Sequence, residues 1–369
     1  MKFYLAPMEG ITGYIFRNAV EAQFGCGVDK YFTPFIEPHI NKGCMTHREK
    51  NDVLPEHNRG MNIVPQILTN SAEAFLLAEK HLTDLGYREL NINLGCPSPT
   101  VTTKYRGSGL LRDTARLDEM LAEIFEKTSC EVSVKTRIGY SDPIEWQDIL
   151  GIYNKYPLKE LIIHPRVREE FYGGNVHTDA FIYALKNSRH QLCYNGDIRN
   201  TEDYDNVMRI LSESCGTRLP DAIMSGRGMV EDPSLLMRLK AHADAVSDKS
   251  KANKTASSGP ASEDSSEHNA ASGSIVGGSD AVKAHAGSCR AVSADKISAE
   301  EIRIFTDRLA AGYGELLSGD TPVLHKMKEV WSWLINGFPD QDRLLKRIVK
   351  AKKMSDYKAA VDAALKAYH

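Results

Sequence analysis

The chain has 369 residues, of which 42% are hydrophobic, so it can build one large domain and a smaller one with packed cores. The formal net charge of −3 gives no global signature of nucleic-acid binding, so any RNA partner must be held by local basic patches. Seven irregularly spaced cysteines argue against a secreted disulfide framework, and no run approaches the roughly 18 apolar residues needed to span a bilayer. We therefore expect a cytoplasmic protein with no membrane partner.

Eight short β-like runs recur in the first 225 residues, at 3–6, 30–35, 63–68, 89–93, 131–136, 160–164, 191–195 and 222–225. The helix-like stretches between them are clearest at 71–85, which Ser71 caps and Gly86 stops. Further helices are predicted to begin near Thr114, Pro143, Thr178, Thr201 and Pro233. This alternation predicts an α/β fold, a (β/α)8 TIM barrel.

The composition divides the chain into three parts. Residues 1–245 are predicted to form the barrel. Residues 246–296 are rich in Ser, Ala, Gly, Lys and Asp and contain no aromatic residue, so we predict a flexible low-complexity linker or insertion. Apolar helical periodicity resumes at Ile297, which predicts a small all-helical domain over 297–369.

Polar or potentially reactive residues stand at the ends of nearly all the predicted strands. Chemistry in a TIM barrel sits at the carboxyl ends of the strands, so this recurrence predicts a ligand held in the barrel mouth. The residues are Met8, Gln66, Asn93, Cys96, Lys135, His164, Asn195, Gly226 and Arg227.

Two glycine-containing loops follow the seventh and eighth strands, where TIM barrels usually bind phosphate. The first is Asn195-Gly196-Asp197 and the second surrounds Gly226 and Arg227. Either loop alone is better explained as a common turn. Together, after these two strands, they favour a phosphorylated cofactor.

Lys135 ends the fifth strand, where its cation can face an electron-rich ligand. A flavin fits, because a fixed ammonium stabilises the negative charge of the reduced ring. A structural ion pair explains Lys135 equally well. His164 is similarly open, since it is either a site residue or a satisfied structural histidine.

Cys96 lies on a loop after the fourth strand that also contains Gly107 and Gly109, which we interpret as hinges of a lid. A thiol there suits an acid that donates one proton at neutral pH, and the alternative is an inert buried cysteine. His39, Cys44 and His47 lack a fourth ligand, so no metal is predicted.

Basic residues concentrate near the C-terminus. Such a charge run is typical of a phosphate-binding face, although a solvated helix surface is the commoner explanation. The residues are Arg343, Lys346, Arg347, Lys350, Lys352, Lys353, Lys358 and Lys366, against Asp356 and Asp362 alone in the same stretch.

These motifs resemble, in order and spacing, those of the tRNA-dihydrouridine synthases, a bacterial-type, FMN-dependent family. The resemblance covers residues 5–236 and a C-terminal segment similar to the family's RNA-binding domain. HPR replaces the more familiar HGR, SGRG replaces IGRG, and the linker is long for the family. The segments are LAPMEGITGYIFR, NINLGCPSPTVTTKYRGSGLL, VKTRIGY, IIHPRVREEFYGG, YNGDI, IMSGRGMVEDPSLL and HKMKEVWSWLINGF.

The resemblance implies a site and a reaction. FMN, reduced by NADPH or alternatively NADH, passes hydride from N5 to C6 of a uracil in tRNA, and Cys96 protonates C5. Asn93 and Arg166 contact the uracil, and we expect a monomer. The residues implied to hold FMN are Pro7, Met8, Glu9, Gln66, Lys135 and His164, with Asn195, Gly196, Asp197, Gly226 and Arg227 at its phosphate.

Two other functions stay open at this point. Another FMN barrel, such as dihydroorotate dehydrogenase, also reacts at the C5–C6 bond of a pyrimidine, but a free pyrimidine needs no basic helical domain. The second is a flavin-free RNA-binding protein built on a barrel that has lost its catalytic activity, and the presence of Cys96, Lys135 and His164 weighs against it.

Overall fold

The computed structural model describes residues 1–41, 43–257 and 296–368. Its sheet consists of parallel strands that run around a barrel in the order β3-β2-β1-β9-β8-β7-β6-β5-β4. The predicted TIM barrel is confirmed. The strands are β1 (Lys2–Leu5), β2 (Lys30–Phe32), β3 (Ile63–Val64), β4 (Gln66–Ile67), β5 (Glu89–Leu94), β6 (Glu131–Gly139), β7 (Glu160–Val167), β8 (Gln191–Tyr194) and β9 (Ala222–Ser225).

Nine strands arise from eight predicted runs because Pro65 divides the third run. Proline has no N–H group and cannot donate to a strand ladder, so the run becomes β3 and β4. The carbonyl of Pro65 still accepts a hydrogen bond from the Asn91 backbone N–H at 2.9 Å. β3 pairs with β2 and β4 pairs with β5, so the two short strands together occupy one strand position of the barrel.

Helices surround the sheet, and their starts follow the capping signals in the sequence. Ser71 accepts a hydrogen bond from the Ala74 backbone N–H at 3.3 Å, and Gly86 has a φ of +96° beyond the helix end, so the predicted cap and stop are confirmed. The helices of the barrel region are α1 (Tyr14–Phe24), α2 (His47–Val53), α3 (Ala72–Asp84), α4 (Pro99–Thr102), α5 (Thr114–Lys127), α6 (Trp146–Tyr153), α7 (Thr178–Asn187), α8 (Thr201–Cys215), α9 (Arg227–Glu231) and α10 (Leu235–Ser257).

Four further helices form a helical region after the barrel. The Trp331 indole N–H donates to the Tyr357 hydroxyl at 2.8 Å inside its core. Phe305 meets Phe16 of α1 edge to face, with ring centroids 5.5 Å apart, so the region packs directly on the barrel. The helices are α11 (Ala299–Leu316), α12 (Asp320–Leu334), α13 (Gln341–Lys350) and α14 (Met354–Lys366).

The predicted linker begins inside a helix. α10 continues without a break to Ser257, beyond the predicted barrel boundary at 245. Residues 258–295 lie outside the described residues, so the division into 1–245, 246–296 and 297–369 stays a prediction. No helix in the described part of the chain is long and apolar enough to cross a membrane.

Candidate active site

A cavity of about 570 Å³ opens at the carboxyl ends of the strands, within the size range of cofactor sites. Thirteen of the fourteen predicted site residues line it, so the strand ends converge as the barrel fold requires. The thirteen are Pro7, Met8, Glu9, Gln66, Asn93, Cys96, Lys135, His164, Asn195, Gly196, Asp197, Gly226 and Arg227.

Arg166, the remaining predicted residue, lies behind the cavity wall. Its guanidinium is buried and donates to Asp197 at 2.6 and 3.1 Å. It also donates to the backbone carbonyls of Gly173 and Gly174 at 2.9 and 3.0 Å. These bonds occupy most of its donors, so in this structure Arg166 positions its neighbours, and its contact with uracil stays a prediction.

Asp197 connects Arg166 to the rim of the cavity. Its Oδ1, one of the two oxygens that accept from Arg166, also accepts from Arg227, whose guanidinium lies 5.3 Å from the ring centroid of Tyr172. Burial raises the pKa of Asp197, but the hydrogen bonds and positive charges of the two arginines outweigh it and the net pKa is lowered. The carboxylate therefore stays ionised and fixes Arg227 beside the cavity.

His164 is neutral, and the hydrogen-bond chemistry decides its tautomer. Burial, followed by the positive charges of Arg137, Lys135, Arg166 and Arg227, lowers its pKa well below the usual 6.5. Arg166 Nη1 lies 3.1 Å from His164 Nε2. Since a guanidinium can only donate, Nε2 is the acceptor and Nδ1 carries the proton. The imidazole can therefore present a neutral N–H donor.

Lys135 carries an ammonium group without a protein partner in the described part of the chain. It makes no hydrogen bond and no ion pair there, although it lines the cavity. Burial, and secondarily the charge of Arg137, lowers its pKa to about 8. The structural ion pair considered above is absent among the described residues, and the cation suits an electron-rich ligand.

The Cys96 loop is held by the side chain of Asn93. Its amide oxygen accepts from the backbone N–H groups of Gly95 at 3.0 Å and Cys96 at 2.9 Å. The half-buried thiol lines the cavity, and burial is the largest cause of its raised pKa. The group is therefore a thiol at neutral pH and holds a proton to give.

A buried hydrogen-bond chain connects this loop to the barrel interior. Asn93 Nδ2 donates to Gln66 Oε1 at 2.7 Å, and Gln66 Nε2 donates to Asn91 Oδ1 at 2.8 Å. Asn91 in turn donates to the Ser133 hydroxyl at 2.9 Å. Each amide orientation is thus set by the next, so the position of the thiol depends on β4, β5 and β6 together.

Gly107 and Gly109 are packing positions in this structure, so the hinge interpretation is replaced. A Cβ at Gly107 would lie 2.8 Å from the Cys96 carbonyl oxygen, and one at Gly109 would lie 2.5 Å from the Thr102 carbonyl oxygen. Ser108 between them donates to the Cys96 carbonyl through its backbone N–H at 3.1 Å and its hydroxyl at 2.8 Å. The glycines let the loop fold tightly upon itself.

The loops after β8 and β9 present unused donors to the cavity. Among the described residues, the backbone N–H groups of Gly196, Asp197, Gly226 and Arg227 have no acceptor. A Cβ at position 196 would lie 2.2 Å from the Tyr194 hydroxyl oxygen, so only glycine fits there. Free N–H groups beside Arg227 are the donors that a phosphate group requires, and these residues fit that group.

Comparison with protein families matches residues 4–308 to the family described as "Dihydrouridine synthase (Dus)". The chain belongs to the dihydrouridine synthase family. Membership makes it an oxidoreductase. The family resemblance inferred from the motifs is therefore confirmed.

Two sequence relatives agree with this assignment. A "Probable tRNA-dihydrouridine synthase" of Staphylococcus aureus (strain COL) is 30% identical over 249 residues, 63% of this chain and 69% of the relative. A "Probable tRNA-dihydrouridine synthase 2" of Bacillus subtilis (strain 168) is 33% identical over 241 residues, 63% of this chain and 70% of the relative. A solved variant of NCR from Zymomonas mobilis is 12% identical, with a TM-score of 0.45 over 66% of this chain and 87% of that one.

Thirteen residues that line the cavity were not predicted from the sequence, and four of them bear on its chemistry or on its link to the helical region. Arg137 donates to the backbone carbonyls of Gly95 and Val167, both at 2.9 Å. A signal for Arg137 existed, because residues two apart in a strand share a face and Lys135 was already assigned. No local pattern indicated the others, which come from a loop and from the helical region. The four are Arg137, Tyr172, Trp333 and Asn336.

No metal centre forms from the spaced histidines and cysteine. Within residues 1–41, 43–257 and 296–368, no group of three or more potential ligand side chains is arranged to hold a metal ion. Cys44 is buried, and burial raises the pKa of its thiol to about 11.

The C-terminal basic residues are all exposed on α13, on α14 or between them. In the part of the chain that the structure describes, only Arg343 of the eight forms an ion pair, with Asp340. The basic residues therefore form a positive surface on the helical region.

Proposed function

We propose that the enzyme reduces uridine in tRNA to 5,6-dihydrouridine within this cavity, with FMN as its cofactor and NADPH as the reductant. One observation carries the proposal: a protonated thiol, an unpaired ammonium and a neutral imidazole meet at the same barrel mouth. Such a set suits reduction of a ring double bond, because the enzyme must stabilise an electron-rich cofactor and deliver a single proton.

The two ends of the cavity fit the two parts of FMN. The free backbone N–H groups after β8 and β9, with Arg227, would hold the phosphate. Lys135 and the His164 N–H would face the flavin ring, together with Pro7, Met8, Glu9 and Gln66. When bound and reduced by NADPH, FMN supplies the hydride that adds to C6 of the uracil.

Cys96 then acts as the acid. Its raised pKa keeps the proton on Sγ until carbon C5 takes it. Loss of the proton leaves a thiolate in the positive field of Arg137 and Lys135, whose charges favour the ionised form. Asn93 fixes the loop that carries the sulfur through the two backbone N–H groups described above, and it remains our candidate for a contact with the uracil.

The target uracil must unstack from its neighbours in the tRNA to enter this cavity, which costs a few kcal/mol of free energy. The positive surface on α13 and α14 offers binding energy that offsets this cost, because it attracts a phosphate backbone. Trp333 and Asn336 bring the same helical region to the cavity wall, so binding of the tRNA there is coupled to the position of the base.

Purified protein tests the proposal directly. We expect a yellow protein whose flavin absorbance is bleached by NADPH without oxygen and restored by unmodified tRNA. Orotate should restore it poorly, and a faster return with orotate than with tRNA would favour the dihydroorotate dehydrogenase type of reaction. A colourless protein that cannot be loaded with FMN would refute the cofactor assignment.

The Cys96→Ala variant tests the acid role of Cys96 separately from cofactor binding. We expect normal FMN content and normal reduction by NADPH, with most dihydrouridine formation lost, because only the proton donor is removed. Cys130→Ala, which alters a half-buried cysteine remote from the cavity lining, is the matched control and should retain product. Full product yield from Cys96→Ala would overturn the acid role.

A further inference from the structure

Arginines and aromatic rings alternate beside the cavity in a cluster that the reaction leaves unused. The guanidinium carbons of Arg112 and Arg116 lie 3.8 and 4.8 Å from the ring centroid of Tyr105. Arg168 lies 5.3 Å from the Tyr140 centroid and 4.9 Å from that of Phe171. We call this cluster the arginine–aromatic array, and its members are Tyr105, Arg112, Arg116, Tyr140, Arg168 and Phe171.

The array lies at the same end of the barrel as the cavity. Tyr105 belongs to the Cys96 loop after β5, Tyr140 follows β6 and Phe171 follows β7. Arg137, which lines the cavity, donates to the Phe171 carbonyl, so the two sites share a wall. A nucleic acid that places one base in the cavity therefore brings its neighbouring nucleotides to this surface.

The described part of the protein does not neutralise the positive charge of the array. Among the described residues, no carboxylate forms an ion pair with Arg112, Arg116 or Arg168. The neighbouring carboxylates serve other donors: Asp113 accepts from a backbone N–H at the start of α5, and Glu170 accepts from His177 and a backbone N–H.

Two arginines of the array are exposed, and the third has an unused donor. The side chains of Arg112 and Arg116 are open to solvent. The Arg168 Nε atom is buried without a hydrogen-bond partner among the described residues. Arg112 and Arg168 each donate one terminal N–H to Thr102, at 3.3 and 3.2 Å. The other terminal guanidinium N–H groups of the array have no acceptor among the described residues and can serve phosphate oxygens.

The backbone is forced into unusual conformations to place two of these rings. Tyr105 has a φ of 55° and Phe171 a φ of 50°, values that non-glycine residues rarely adopt. Such conformations persist only where the surrounding structure imposes them, and they cluster at functional sites. The positions of the rings are therefore specified by the fold.

We propose that the arginine–aromatic array binds the sugar–phosphate backbone of the substrate tRNA next to the uridine that enters the cavity. The inference rests on the proposed function. It adds a second tRNA contact, on the barrel, to the contact proposed for the basic helices α13 and α14 of the helical region. Phosphate oxygens take the free guanidinium donors, and an unstacked neighbouring base has aromatic faces to rest on.

The test is the salt dependence of tRNA binding to the flavin-loaded protein without NADPH, so that no turnover occurs. Arg112→Gln/Arg116→Gln should weaken binding on the order of tenfold at about 0.1 M salt and reduce the slope of log affinity against log salt by about 1 to 2. The control Lys127→Gln/Arg209→Gln removes the same charge from exposed residues paired with Glu123 and Glu213. It should bind like the unaltered protein.

An unchanged slope in the array variant, or an equal loss in the control, overturns the proposal. Arg116→Glu alone serves if the double variant does not fold, because this exposed side chain donates no hydrogen bond to the described protein. The proposed function fails separately, when the unaltered protein binds tRNA but produces no dihydrouridine. Normal tRNA binding and a normal slope in Arg116→Glu would reject the array even where dihydrouridine is made.

Discussion

Replacing Lys135 with methionine should stabilise the flavin-free protein while disabling the enzyme. Burial lowers the pKa of this lysine from the ordinary 10.5 to about 8, so at pH 7 the fold contains an ammonium that water would solvate better. The difference corresponds to about 3 kcal/mol of folding free energy at pH 7. Methionine has a similar length and no charge, and it faces a cavity that can accept it.

The stability gained by Lys135→Met must decrease as the pH rises. The penalty is complete below the folded pKa and disappears as the pH rises through the unfolded value, because both states then lose the proton. Urea unfolding of Lys135→Met and the unaltered protein should therefore differ by about 3 kcal/mol at pH 7 and by about 1.5 kcal/mol at pH 9.5. Dihydrouridine formation should fall roughly 10²-fold, since the fixed cation that we propose to face the flavin is lost.

Lys186 on α7 provides the comparison, because its side chain is exposed and forms no ion pair with any residue that the structure describes. Lys186→Met should change the free energy of unfolding by less than about 0.5 kcal/mol at either pH. If Lys135→Met is no more stable than the unaltered protein at pH 7, or if its advantage persists unchanged at pH 9.5, the ammonium is not desolvated as the structure indicates.

Three further changes test the rest of the site. Asn93→Leu removes the hydrogen bonds that hold the Cys96 loop and should cost about 2–5 kcal/mol in urea unfolding, with product formation reduced more than flavin reduction. His164→Gln should flatten the acid side of the stability profile, because the buried imidazole resists a proton that the unfolded chain binds below about pH 6.5, a slope of up to about 1.4 kcal/mol per pH unit; equal slopes would contradict the lowered pKa. Gly196→Ala should destabilise by about 1–3 kcal/mol through the clash with Tyr194 and lower the FMN content measured by absorbance, whereas Gly151→Ala, on an open helix face, should be neutral or stabilising.

The fold was largely predictable because each strand position of the barrel corresponds to a short run of β-forming residues bounded by turn residues. The eight runs needed only β-forming composition and the turns between them. The helix starts predicted at Ser71 and near Thr114 and Thr201 follow from side-chain chemistry, because Ser71, Asp113 and Asn200 cap these helices. Helices α1, α2, α4 and α9 were not predicted. α9 has five residues that directly follow a loop assigned to phosphate binding, too few for a helical period to show.

The site was predictable in its strand-end residues but not in how they pair. Arg166 follows His164 by two residues, so the pattern indicated one shared face but not that Asp197 would capture the guanidinium. Likewise the packing role of Gly107 and Gly109 depends on how their loop folds back on Cys96, a tertiary contact that no local pattern records.

Trp333 and Asn336 belong to the helical region, yet they line the cavity at the barrel mouth. Asn336 donates to Glu231 of the barrel at 3.0 Å, and Lys326 donates to the Gly10 carbonyl at 2.9 Å. Replacing these helices with those of another family member, in order to direct the enzyme to a different uridine, would thus also change the residues that line one side of the cavity. A working chimera has to carry the matching faces of α1 and α9 with the graft.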